Sequence, residues 1–446
     1  MAIRALPGFR DFYPAELSER AYIIDTWRTV ARRFGFVEYD GPPLEPLELY
    51  TLKSGDEIVG QLYTFDDKGG RAVALRPEMT PTLARMVSAR ASALRKPVRW
   101  FAVPQLFRYE RQQRGRLREH FQLNLDIIGE ADVTADAELL AAGIEMMRAF
   151  GLTQVDVHAR VSDRPLLNGL LRLVGVDDAR LPLVYGVVDK FGREPRSVLE
   201  ERLRAGGLDE TVCRRVFEVV SHDELEPLRA EFGDAPELRD DLARLASYFE
   251  HLDALGVAEW VHFDLSVVRG LAYYTGIVFE LFDVKGELRA IAGGGRYDSL
   301  LGALGGVELP ALGFGMGDVV LAELLRDREL IPPATATLDY WVAGDDDASL
   351  TTVMRVATAL RRRGLRVEYA LRPQKLGKQL KAAVSAGAGK VVIIRDAAAG
   401  TVRRLSDGAE RAADLRLLDG VRPPDRNGGA ELEDPFPFPQ DAGSEN

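Results

Sequence analysis

Cysteine occurs once in the 446 residues, at Cys213, so no internal disulfide can form and a reducing, cytoplasmic setting is expected. Histidine occurs five times, at positions 120, 158, 222, 251 and 262, with no paired spacing. No H-E-x-x-H, C-x-x-C or G-x-S-x-G is present, which removes the common zinc and serine-nucleophile patterns, and no metal ligand set is expected. No run of about 18 apolar residues exists, so no transmembrane helix is expected. The start, Met1-Ala-Ile-Arg-Ala-Leu-Pro7, lacks an apolar stretch of signal-peptide length. An excess of positive charge is missing too. A net charge of −11 argues against a chain coated in nucleic acid but leaves room for a local basic patch. With 46% hydrophobic and 28% charged residues the composition is that of an ordinary globular protein, and the length calls for two or three domains.

Periodicity supplies the elements. Ile24, Trp27, Val30, Ala31 and Phe34 recur at helical spacing and Gly35 follows as a stop. Residues 98–107, rich in Val, Trp and Phe, predict a strand. Over 121–128, Phe121, Leu123, Leu125 and Ile127 alternate with Gln122, Asn124 and Asp126, which puts the apolar set on one face of a strand and the polar set on the other. That polar face meets water or lines a site. Residues 135–150 predict a helix with Leu139, Leu140, Ile144, Met147 and Phe150 inward and Gly151 as its cap. Residues 163–255 read as a helical insertion, and 260–296 as a second cluster of strands. Ile331-Pro-Pro-Ala-Thr335 reads as a linker. Beyond it, strands at 339–343, 367–371 and 391–395 alternate with helices at 350–360 and 375–386, a βαβαβ pattern that implies a mostly parallel sheet. Residues 425–446 are rich in Pro, Gly and acidic side chains and are expected to be a disordered tail.

Four segments could carry chemistry. Arg108-Tyr-Glu-Arg-Gln-Gln-Arg-Gly-Arg-Leu-Arg118 holds five arginines in eleven residues and reads as a basic hairpin loop, either solvated or built to neutralise phosphates. Arg269-Gly-Leu-Ala-Tyr-Tyr-Thr-Gly276 sets a Tyr pair and a lone Arg between glycines, with a strand–turn–strand around core tyrosines as the plain alternative. Gly293-Gly-Gly-Arg-Tyr-Asp298 lets a ligand approach the backbone, although a glycine run alone is weak and matches no dinucleotide or Walker spacing. Leu75-Arg-Pro-Glu78 fixes a carboxylate behind a proline, or is an exposed turn.

Together with Gly8-Phe-Arg-Asp-Phe12 and Phe107-Arg-Tyr-Glu-Arg111, these segments in this order resemble histidyl-tRNA synthetase, a class II aminoacyl-tRNA synthetase family. The resemblance covers about residues 1–330 at motif level, and the βαβαβ unit is similar to the family's anticodon-binding domain. It implies an α+β class II core over 1–330, an antiparallel sheet flanked by helices with a helical insertion at about 163–255. An α/β anticodon-binding domain would follow at 334–424. It implies ATP, with Mg2+, and L-histidine and tRNA-His as substrates, a homodimer through the first helix and segment 36–50, and no membrane. Arg108 and Arg269 would be the catalytic cations on either side of the α-phosphorus and would also contact histidine. Glu78, Thr80 and Gln122 would hold the ammonium group, Asp126 and Tyr274 would read the imidazole, Tyr273 would shape the wall, and Arg116 and Arg118 would lie near ATP or the tRNA acceptor end.

The chemistry agrees, because joining two anions needs cations and positioning rather than a protein nucleophile. Residues 334–424 also hold 16 Lys and Arg against 10 Asp and Glu, a basic module suited to an RNA backbone. Three positions depart from the family pattern: Asp126 where Glu is more frequent, Ala272 where Asp is common, and Val320 where motif 3 has its phosphate-gripping arginine. The competing reading is a catalytically idle paralogue that senses histidine, like the regulatory subunit of ATP phosphoribosyltransferase. The basic C-terminal unit and the arginine loop argue against it.

Overall fold

The computed structural model describes residues 3–51, 59–111, 115–268, 274–333, 338–345, 350–418 and 434–438. Arg269, Ala272 and Tyr273, and Arg114 of the basic loop, therefore lie outside the described residues. The chain divides into two compact units between Ile331 and Pro332.

In the first unit the opening helix runs Pro14–Arg33, with proline in its first turn, where the missing N–H costs nothing, and Gly35 beyond its end at φ +75°. Its buried stripe is Ile23, Trp27, Val30 and Ala31, with Ile23 taking the inner place expected for Ile24. Trp27 Nε1 donates to Met316 Sδ at 3.2 Å and so ties the helix to the sheet. That sheet has nine strands among the described residues. Its order is Val37–Glu38, Val98–Ala102, Glu119–Ile128, Ala311–Gly317, Ala292–Arg296, Ile277–Asp283, Val157–Asp163 and Val261–Phe263, with Gln105–Phe107 pairing separately with Glu119–Phe121. Pairing is antiparallel except at the two edges. The expected single strand over 98–107 is two strands, interrupted at Val103-Pro104, because proline has no N–H for the ladder.

The alternation over 121–128 holds. Leu123, Leu125 and Ile127 are buried in the main core, and the helix Thr134–Ala149 packs on that face with Leu139, Leu140, Ile144 and Met147 inward. The parallel edge pair Val157–Asp163 and Val261–Phe263 needs a crossover, and six α-helices from Arg164 to Ala254 provide it. Asp163, fully buried, holds this insertion to the sheet: it caps the helix Arg164–Leu173 through Leu166 N at 2.8 Å and pairs with Arg244 at 2.8 Å.

The second unit has a five-stranded sheet in the order Val367–Tyr369, Leu338–Gly344, Ala388–Ile394, Ala399–Arg404, Glu410–Asp414. The first three strands are parallel, as the βαβαβ reading requires, and the last two add an antiparallel edge that periodicity did not reveal. Helices Leu350–Arg362 and Leu376–Ser385 pack in separate cores on opposite faces, because Tyr340 and Val342 face one side and Trp341 and Ala343 the other. The expectation of a structureless tail fails for residues 434–438. Phe436 and Phe438 are buried in the first of these cores, and Asp434 pairs with Lys390 and with the Tyr340 hydroxyl.

Candidate active site

The polar face of strand Glu119–Ile128 is covered rather than bathed in water: Asn124 and Asp126 are 6% and 4% exposed. Register explains what lies beside it. Gln122, Asn124 and Asp126 oppose Gly317, Gly315 and Gly313, and Gly315 and Gly313 in turn oppose Gly293 and Gly295. The sequence Gly313-Phe-Gly-Met-Gly317 thus alternates glycine toward the site with Phe314 and Met316 in the core. Side chains of the central strand occupy the room so left. A Cβ at Gly313 would stand 2.0 Å from Asp126 Oδ1, and one at Gly315 would stand 2.8 Å from Gln122 Cδ. The middle residue of the triple glycine, Gly294, does not open the backbone to a ligand. It faces the core, where a Cβ would meet Phe314 Cβ at 2.4 Å.

Asp126 accepts a hydrogen bond from the Tyr297 hydroxyl at 2.6 Å. Burial pushes its carboxyl up to about 7, and the Tyr297 bond pulls the other way. Tyr274 is 7% exposed and shares a small core with Tyr297 and Val278 at this end of the sheet. Tyr39 packs against the same core and stacks on Trp100 at 5.4 Å, the residue directly opposite Asp126. Its buried hydroxyl has no hydrogen-bond partner among the described residues, and burial, then the Asp126 charge, holds its pKa well above the ordinary tyrosine range.

The basic loop begins where strand Gln105–Phe107 ends. Arg108 donates from Nε to Pro77 O at 2.9 Å, which joins it to the turn carrying Glu78, itself 6% exposed. Thr80 opens the helix Thr80–Ser88. Arg76, nearly fully buried, fixes that turn through Gln105 O, Gly41 O and Asp40. Arg116 pairs with buried Glu110 at 2.5 Å. Arg118 lies over the Tyr109 ring at 4.1 Å and against Gly8, whose φ of +87° and absent side chain admit it. From the N-terminal motif, Arg10 donates to Glu119 at 2.6 Å and to Asp318 at 2.8 Å, and Asp318 accepts from Phe121 N at 2.9 Å. The central strand and the helix Asp318–Asp327 are thereby locked together. Burial, then Arg108 and Arg10, push His120 down to about 3, so its imidazole is neutral near pH 7.

A cavity of about 990 Å3 opens over this floor, with Arg108, Arg116, Gln122, Gly293, Gly315 and Val320 in its lining. Of the residues singled out in the sequence, Arg108, Arg116 and Gln122 line it; Glu78, Thr80, Asp126, Tyr274 and Arg118 are not in its lining. Arg269 and Tyr273 lie outside the described residues. Sequence reasoning missed Tyr39, Tyr297, Arg10 and Glu110. Tyr297 and Arg10 sat inside quoted motifs, whereas nothing in the local pattern around Tyr39 marks it.

A family model described as histidyl-tRNA synthetase matches residues 8–318. A histidine–tRNA ligase of Opitutus terrae is 46% identical over 398 residues, covering 86% of this chain and 89% of that protein. The chloroplastic/mitochondrial histidine–tRNA ligase of Arabidopsis thaliana is 42% identical over 387 residues, covering 87% and 79%. A crystal structure of histidyl-tRNA synthetase from Nostoc sp. PCC 7120 shares the fold, with a TM-score of 0.80 at 24% identity over 94% of this chain and 98% of that one. The largely antiparallel sheet with its flanking helices, the helical insertion and the separate C-terminal sheet unit are the α+β class II architecture that the motifs implied. By sequence and by fold, the chain belongs to the histidyl-tRNA synthetase family.

Proposed function

We propose that the chain is a histidine–tRNA ligase acting in the cytoplasm. A carboxylate oxygen of L-histidine attacks the α-phosphorus of ATP. The bond from that phosphorus to the bridging oxygen breaks, and pyrophosphate leaves. A ribose hydroxyl at the 3′ end of tRNA-His then attacks the carbonyl carbon of the adenylate and releases AMP. The observation that carries this reading is the glycine-floored face that holds a buried Asp126 and, four residues before it, Gln122, which with Arg108 and Arg116 lines the cavity.

Roles follow from chemistry and from the family resemblance. Asp126, oriented by Tyr297, accepts an imidazole N–H, Tyr274 reads the opposite ring nitrogen, and Tyr273 forms the wall. Tyr39 adds its unpartnered hydroxyl to this pocket. Glu78, Thr80 and Gln122 take the ammonium group. Arg108 and Arg269 neutralise the carboxylate and the α-phosphate from opposite sides, where charge develops during attack. Arg116 serves the ATP end, while Arg118, stacked on Tyr109, shapes the loop that approaches the tRNA acceptor end. Mg2+ would enter with the polyphosphate, and Glu280 stands in the cavity lining. The basic C-terminal unit takes the anticodon. Two copies pair through the first helix and the exposed edge strand Val37–Glu38, where Val37 is 61% exposed.

Two assays test the reading. Histidine-dependent ATP–pyrophosphate exchange is expected of a ligase and not of a histidine sensor. Charging of purified tRNA with each of the twenty amino acids should give product with histidine alone; product with another amino acid, or none, overturns the assignment.

A further inference from the structure

Three arginines from separate parts of the chain meet at one end of the cavity. Arg116 comes from the basic loop, Arg193 from the turn between helices Leu181–Val188 and Arg196–Ala205, and Arg289 from the connection between strands Ile277–Asp283 and Ala292–Arg296. Partial burial, followed by the charges of Arg116 and Arg193, lowers the Arg289 pKa, against the attraction of Glu110. Glu110, which opposes that repulsion, is itself engaged by Arg116 at 2.5 Å. Like charges held close together repel, and an anion of high charge bound among them offsets that repulsion.

This end of the cavity is also where Val320 stands. Gly115, the neighbour of Arg116, is so close that a Cβ on it would lie 3.4 Å from Val320 Cγ2. Val320 is 9% exposed and lines the cavity. It has no donor, at the position where the family pattern has a phosphate-gripping arginine. The helix that carries Val320 thus provides no cation at this point, and the neighbouring elements provide three.

We propose that Arg289, flanked by Arg116 and Arg193, grips the β- and γ-phosphates of ATP and takes over the work of the missing motif 3 arginine. This inference rests on the ligase reading above. As pyrophosphate departs, negative charge accumulates on it, and a planar guanidinium fork matches two phosphate oxygens at once. The insertion, through Arg193, becomes part of the nucleotide site, and a cation from outside the Val320 helix stands in for the one that helix lacks.

The test uses the full chain with Arg289→Ala and Arg289→Lys, folding being checked by thermal melting. Calorimetric titration with ATP and with AMP separates the terminal phosphates from the rest of the nucleotide. Arg289→Ala is expected to weaken ATP at least tenfold and to leave AMP and histidine within twofold, with Arg289→Lys in between. In pyrophosphate exchange, KM for ATP should rise while KM for histidine stays put. Unchanged ATP affinity, or equal losses for ATP and AMP, overturns the proposal. So does a tenfold slower transfer of histidine from preformed adenylate to tRNA with ATP binding intact, which would make the cluster a site for RNA phosphates. Absence of histidine-dependent exchange in the unaltered chain would instead sink the ligase reading, while the ATP–AMP comparison still judges Arg289.

Discussion

Tyr297 Oη lies 2.6 Å from Asp126 Oδ1 and joins two residues 171 positions apart. One belongs to the central strand and the other to the glycine-rich motif two strands away. The bond fixes one oxygen of a buried carboxylate.

That carboxylate gives a pH prediction. Its folded-state value of about 7 stands above the ordinary 3.8, so the folded chain holds the proton more tightly than the unfolded chain. The associated stability is present below about pH 4 and is lost as pH rises through about 7. Asp126→Asn, which cannot ionise, should therefore gain Tm relative to the unaltered chain between pH 4 and 8. A Tm difference that stays constant over that range would show that Asp126 titrates normally.

The glycines of the floor should separate into two classes. Gly313→Ala places a methyl 2.0 Å from Asp126 Oδ1 and 2.9 Å from Leu125 O, so the carboxylate must move. A cost of about 1–3 kcal/mol is expected, with kcat/KM for histidine falling at least tenfold. At Gly317 a Cβ meets nothing within 4 Å, and Gly317→Ala should leave Tm within about a degree. Equal effects at the two positions would contradict the register.

Arg10→Ala removes the cation that serves both Glu119 and Asp318, whose side chains are 1% and 4% exposed. A buried carboxylate without its partner is costly, and a loss of roughly 2–4 kcal/mol is expected by urea denaturation. Adding Asp318→Asn to Arg10→Ala should recover part of that loss. If the single variant is as stable as the parent, the network is decoration.

Phe436 is fully buried in the C-terminal core, so Phe436→Ala should destabilise that unit by about 3–5 kcal/mol. Limited proteolysis would report it as faster cleavage within residues 338–418, with residues 3–268 protected as before. No change in cleavage would return the whole tail to the disordered class.

The sequence by itself determined the elements and the chemistry. Period-2 alternation placed Gln122 and Asp126 on one strand face, helical spacing placed Trp27 and Leu140 in the core, and βαβαβ punctuation gave the parallel half of the second sheet, because these patterns record which side of an element is buried. The ordered motifs carried the family, and with it the arginines a reaction between two anions needs. Only the tertiary structure decided what depends on register and on distant neighbours. Alternation could not say whether the polar face met water; the glycines opposite it, nearly 200 positions later, did. Proline and glycine between 425 and 446 read as disorder, yet two phenylalanines there find an apolar surface that local composition does not describe. Tyr39 and Arg289 carry no local signal at all, since what marks them is a charge brought near by folding: Asp126 for the first, Arg116 and Arg193 for the second.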